Sequence, residues 1–189
     1  MTAITHDWLN DYFDEYKRLT FDQKHYGELI AFAELARTIK AQSRKMMFAG
    51  NGASAAIAAH GSVDFTKQGG VRAVNFNEAD LITCFANDYG YDKWMAKSVE
   101  FYGDAGDAVV LISVSGTSPS VVEAAKYAKA NGMTVVTFTG KQETNALKQL
   151  GDINFWVDSH AYNIVECIHM IWLTAAVDMV IGKAEYSVV

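Results

Sequence analysis

Between Lys45 and Val180, short apolar runs of strand length alternate with helical stretches, and this alternation constrains the fold more than any other feature. The strand runs are 46–49, 71–76, 108–114, 133–139 and 153–157. Helical patterns separate or follow them at 55–66, 79–86, 94–101 and 119–130, with a short helix expected at 145–149 and a long apolar one at 164–180. Strands joined through helices cannot pair by tight hairpins, so they run parallel, and helices cover both faces of their sheet. The prediction is a single three-layer α/β domain with a five-stranded parallel sheet. Residues 1–42 precede this body, which spans 43–189. Their stripes, Trp8, Leu9, Tyr12, Phe13, Tyr16 and Leu19, then Leu29 to Ile39, recur at helical spacing. They predict an N-terminal helical extension whose aromatic first helix serves as a subunit interface.

Composition narrows the function. The net charge is −6, with no basic run, which argues against direct nucleic-acid binding. No apolar run is expected to reach the roughly 18 residues of a membrane span. The first residues lack the basic-then-apolar pattern of a secretory signal. Cys84 and Cys167 are far apart in apolar sequence and are expected to be buried free thiols. Together these features point to a cytoplasmic protein.

Two strand-to-helix turns carry the chemical signal. In Ser113-Val-Ser-Gly-Thr-Ser-Pro-Ser120, hydroxyls crowd around one glycine, and the only proline opens a helix. Ser118 suits an N-cap and Pro119 the first helical position, but capping leaves Ser113, Ser115 and Thr117 unexplained. Unsatisfied N–H groups, the helix dipole and the hydroxyls make the turn an anion site, with phosphate the natural guest. Gly50-Asn-Gly-Ala-Ser54 is the second turn, and its glycines allow close backbone approach to a ligand. It is neither a dinucleotide fingerprint nor a Walker loop, so no nucleotide cofactor is expected. Both turns sit at carboxyl ends of strands, where ligands of such sheets bind. His60 and Asp64 share a helix face at i,i+4 and read as a surface pair, an acid–base pair or metal ligands. Glu166 and His169 lie in the apolar last helix, in cleft or core positions. Asn87-Asp88-Tyr89-Gly90 reads as a polar turn.

In order and spacing, Gly50-Asn-Gly with Ser54, Asn87 to Gly90, Ser113 to Ser118 and Thr139-Gly140 resemble the SIS-domain (sugar isomerase) family. Within it the chain is similar to the phosphoheptose isomerase group, which also contains initiator-associating, DiaA-like members. The resemblance implies a flavodoxin-like parallel sheet, a homotetramer built through the N-terminal and central helices, and a phosphosugar bound in a cleft between subunits. It implies that Ser113, Ser115 and Ser118 grip the phosphate, with Thr117 and Val114 adding backbone. Asn51, Gly52 and Ser54 would line the sugar, and Asp88 would contact hydroxyls or assist proton movement. Isomerase members convert a ketose phosphate to an aldose phosphate through an enediol, and some bind zinc through a His and a Glu on the first helix of the body and a Gln and a His on the last.

The chain departs from that pattern where protons move. Asp64 stands for the family's Glu, Glu166 for its Gln, Asn163 for an Asp and Thr174 for the catalytic His. Lys67 or Gln68 replaces a common arginine. Threonine is no base near neutral pH, and His169 lies about 140° away from position 174 around the helix. His60, Asp64 and Glu166 are expected to converge, either as ligands of zinc or another divalent cation, or with the two carboxylates sharing a proton so that one becomes a base. The expected activities are a phosphosugar isomerase using Glu166 or Asp64 as base, with sedoheptulose 7-phosphate or a similar sugar as substrate, or a non-catalytic phosphosugar-binding or protein-interaction module.

Overall fold

A computed structural model describes residues 4–187 of the 189-residue chain. Its strands are β1 (Met46–Gly50), β2 (Ala73–Asn75), β3 (Ala108–Ser113), β4 (Thr134–Thr139) and β5 (Ile153–Trp156). Its helices are α1 (His6–Thr20), α2 (Tyr26–Ala41), α3 (Ala53–Lys67), α4 (Ala79–Tyr89), α5 (Trp94–Tyr102), α6 (Pro119–Ala130) and α7 (Tyr162–Ile181). The strands form one parallel sheet in the order β2-β1-β3-β4-β5.

Strand side chains alternate between two cores, as period-2 geometry requires. Met46 and Phe48 of β1 and Val110 and Ile112 of β3 join Phe32, Phe65, Ile168 and Trp172 on one face. Met47, Ala49, Val109 and Leu111 join Trp94, Met95, Val121 and Ala125 on the other. The first face is covered by α2, α3 and α7, the second by α5 and α6. β1 leads toward β2 and β3 leads toward β4, so the chain order reverses between β1 and β3. At such a switch point the two following helices diverge and leave a crevice beyond the strand ends. Gly50 and Ile112 are register partners there. Gly61 lets α7 lie close on α3, since a Cβ at this position would meet Leu173 Cδ2 at 2.7 Å.

The structure corrects several expectations. The N-terminal extension breaks at Phe21-Asp22 and passes through a short 3-10 turn, Gln23–His25, before α2. No α-helix forms at 145–149. Asn145 instead donates from Nδ2 to Gln142 O at 2.8 Å and accepts at Oδ1 from Lys148 N at 2.9 Å, leaving a loop and a 3-10 turn at Lys148–Leu150. The second strand shrinks to three residues at the sheet edge. Cys84 and Cys167 are free thiols but exposed, because each lies on the outward face of its helix. α7, at 20 residues with an 18-residue window of mean hydropathy 1.8, is long and apolar enough to cross a membrane by length and composition, contrary to expectation. Its buried residues, Ile164 to Val177, pack against α1, α2 and α3, the position of a core helix.

Candidate functional site

The crevice at the switch point holds a cavity of about 140 Å³ lined by Asn51, Ser54, Ser113, Ser115, Ser118, Tyr162 and Glu166, with Ile112 and Val114 behind them. Its polar wall therefore comes from both turns singled out in the sequence and from the first turns of α7.

Local conformation explains each wall. Gly52 takes φ 59°, a left-handed value open to glycine, and turns the chain from β1 into α3. Gly50 is needed for contact reasons, since a Cβ would meet the Ser54 backbone at 2.7 Å. In the serine turn, Gly116 sits at φ 63°, and a Cβ there would collide with the Asn145 side chain. Ser113 Oγ accepts from Gly116 N at 3.2 Å, and Ser115 Oγ accepts from Thr117 N at 3.3 Å. The 141–149 loop braces the turn by donating from Leu147 N to Gly116 O at 2.9 Å. Asn145 and Leu147 were not flagged by sequence reasoning, because a supporting loop leaves no chemical motif.

Electrostatically the cavity favours an anion. Ser118 is the N-cap of α6 and Pro119 its first residue, yet the Ser118 hydroxyl makes no capping bond. The N-caps of α3 and α7, Gly52 and Ala161, also provide no side-chain cap. Three helix starts thus bring the positive ends of their dipoles, and N–H groups without side-chain partners, to one hollow. Asn51 is held on both sides: Nδ2 donates to Ser120 Oγ at 3.1 Å, and Oδ1 accepts from Tyr91 Oη at 3.0 Å. One Nδ2 hydrogen remains for a ligand oxygen.

Glu166 is the one ionisable carboxyl in the wall, and partial burial raises its pKa above the ordinary glutamate value. A carboxyl shifted in this direction is a stronger base than a free glutamate. The remaining candidates are placed differently. His60 Nε2 lies 3.1 Å from Asp64 Oδ2 on the outer face of α3. Among the described residues no group of three or more His, Cys, Asp or Glu side chains could hold a metal ion, so within one chain His60, Asp64 and Glu166 do not form the expected set. Thr117 and Gly52 are exposed and outside the cavity wall. Asp88 is exposed in the last turn of α4, where it accepts from Asn87 Nδ2 at 2.9 Å, and is also outside it. His169 is a core residue: fully buried, it donates from Nε2 to Thr139 O at 3.0 Å, and burial lowers its pKa to about 4. Thr174 Oγ1 donates within its own helix to Met170 O at 3.0 Å. Tyr162, absent from the sequence-based set, joins the wall from the first position of α7.

The SIS-domain family model matches residues 11–140. A phosphoheptose isomerase of Fusobacterium nucleatum is 32% identical over 166 residues, covering 85% of each chain. The structure of a phosphoheptose isomerase from Neisseria gonorrhoeae superposes with a TM-score of 0.83 at 28% identity, covering 92% of this chain and 97% of that one. A Francisella tularensis phosphoheptose isomerase, 24% identical with a TM-score of 0.86 over 97% of this chain and 100% of its own, shares the fold. The chain belongs to the SIS-domain family, within its phosphoheptose isomerase group.

Proposed function

We propose that the cavity holds a phosphorylated sugar with its phosphate on the Ser113–Ser118 turn, and that Glu166 moves a proton between C1 and C2. The reaction interconverts ketose and aldose through an enediol. The substrate is sedoheptulose 7-phosphate or a phosphosugar like it. The observation that carries this reading is the shared wall: three turn serines and a carboxyl of raised pKa line one hollow. The phosphoheptose isomerase relatives support the substrate class.

In this reading ionised Glu166 takes a proton from C1 of the ketose, exchanges it with solvent and delivers a proton to C2. A proton leaves the O1 hydroxyl and another joins O2, so that the enediol forms and closes to the aldose. The oxygen that gains charge meets the remaining Asn51 hydrogen and the helix starts. Asp64 is not the base, since it pairs with His60 outside the wall. Among the described residues of a single chain no group of three or more His, Cys, Asp or Glu side chains could hold a metal ion, and the proton between C1 and C2 moves through Glu166 alone. The assembly is a homotetramer in the cytoplasm, in which His60, Asp64 and Asp88, exposed or at the surface in one chain, are available to a neighbouring subunit's cleft.

One observation favours a second reading. By the family resemblance Thr174 stands where the catalytic histidine would be, and its hydroxyl is spent on its own helix. A non-catalytic phosphosugar-binding or interaction protein would tolerate this. Incubating the protein with sedoheptulose 7-phosphate and following the sugar by NMR separates the two. Appearance of an aldose phosphate supports the isomerase. Binding without conversion supports the second reading.

A further inference from the structure

Among the described residues the cavity wall carries hydroxyls and helix starts but no lysine or arginine, and its one charged side chain is the acidic Glu166. A phosphate monoester brings nearly two negative charges at neutral pH, of the order of −1.5 to −2. Just outside the wall stands Lys141, whose ammonium donates to Tyr162 Oη at 3.0 Å and lies 4.3 Å from the centroid of the same ring. Tyr162 itself lines the cavity.

Lys141 is held there at a conformational cost. Its φ of 54° is left-handed, a value shared among the described non-glycine residues only by Ser43. Two backbone bonds keep it so. Gly140 N donates to Val114 O at 2.9 Å, tying the turn to the serine loop. Lys141 N donates to Ser159 O at 2.9 Å, tying it to the segment that enters α7. The turn bridges both halves of the cavity wall.

The donor pattern specifies the guest. An ammonium has hydrogens and no lone pair, so the Tyr162 oxygen accepts from it and the phenolic hydrogen is left to donate. The chain Nζ–H···Oη–H ends on an acceptor, and each bond polarises the next. We propose that Lys141 and Tyr162 form the cationic side of the phosphate site: Tyr162 donates to a phosphate oxygen, and Lys141 acts as a positioning residue that orients and charges that donor. The assignment rests on the phosphosugar reading and adds the positive charge that the serine turn lacks.

Calorimetric titration of the full chain with sedoheptulose 7-phosphate, and separately with inorganic phosphate, tests it. Tyr162→Phe and Lys141→Met should each weaken phosphosugar binding about tenfold. The double variant should be little weaker than either single one, because both act through one chain of bonds. Lys141→Arg, which keeps a cationic donor, should restore most of the affinity, and Lys141→Met should reduce the salt dependence of binding. Ser115→Ala checks the phosphosugar reading itself. A wild-type protein that binds neither probe overturns that reading and this assignment with it. If the wild type binds and Ser115→Ala weakens it while Lys141→Met and Tyr162→Phe stay within about twofold, the assignment alone fails. Failure of Lys141→Arg to rescue also overturns it, since a purely structural lysine would then account for the loss.

Discussion

The role proposed for Glu166 trades stability for chemistry. Burial raises its carboxyl pKa, so the ionised form is disfavoured in the fold. The sign follows: stabilisation is present below the unfolded pKa and is lost as pH rises through the higher folded value. Glu166→Gln should therefore melt at or above the wild-type temperature at pH 8, while abolishing turnover; a clear loss of stability would mean that the ionised carboxylate is held by favourable partners. Turnover should itself fall as the solution is acidified through the raised pKa, because the base must be ionised. His169 works in the opposite sense. Its folded pKa, about 4, lies below the ordinary histidine value, so its contribution is present above the unfolded pKa and is lost as pH falls toward 4. The full shift corresponds to roughly 3 kcal/mol. Denaturant melts at pH 7 and pH 4.5 should show this loss in the wild type, and a smaller pH-dependent loss in His169→Gln. An equal pH dependence would remove His169 as its source.

At the scale of elements, the serine turn and its bracing loop act together. Gly116→Ala must fit a Cβ against Asn145 at positive φ, and should cost about 1–3 kcal/mol while weakening phosphosugar binding. Thr117→Ala, at an exposed position outside the cavity wall, should stay within about 0.5 kcal/mol in thermal melts. Equal effects at the two positions would contradict the bracing. The same contrast explains what was legible beforehand. The central strands could be read because residues such as Val109 and Leu111 are buried on both faces, leaving unbroken apolar runs. Ser113, Ser115, Ser118, Asn51, Ser54 and Glu166 were readable because strand-end turns and a carboxyl in an apolar helix are local signals. The loop at 141–149 misled, because Asn145 uses its amide to cap a turn, which propensity does not reveal. Tyr162 was invisible because only the sheet order brings α7 to the serine turn. Exposure of Cys84 and Cys167 was misjudged because apolar neighbours in sequence occupy other faces of the helix.

At the scale of the whole molecule, α1 packs Tyr12, Tyr16 and Leu19 on the core while Trp8, Leu9 and Phe13 remain 47%, 43% and 54% exposed. A second copy of the chain covering this face would complete the proposed tetramer. The double variant Trp8→Glu/Phe13→Glu should lower the mass measured by light scattering, and an unchanged mass would place the interface elsewhere. The fold brings three helix starts, a serine turn and one carboxyl of raised pKa to a single hollow, which in the function proposed above moves a proton on a phosphosugar. The direct test is exchange of solvent deuterium into sedoheptulose 7-phosphate in D2O, followed by NMR. Incorporation at C1 is expected with the wild type and none with Glu166→Gln. No incorporation by the wild type, or equal incorporation by both, would contradict it.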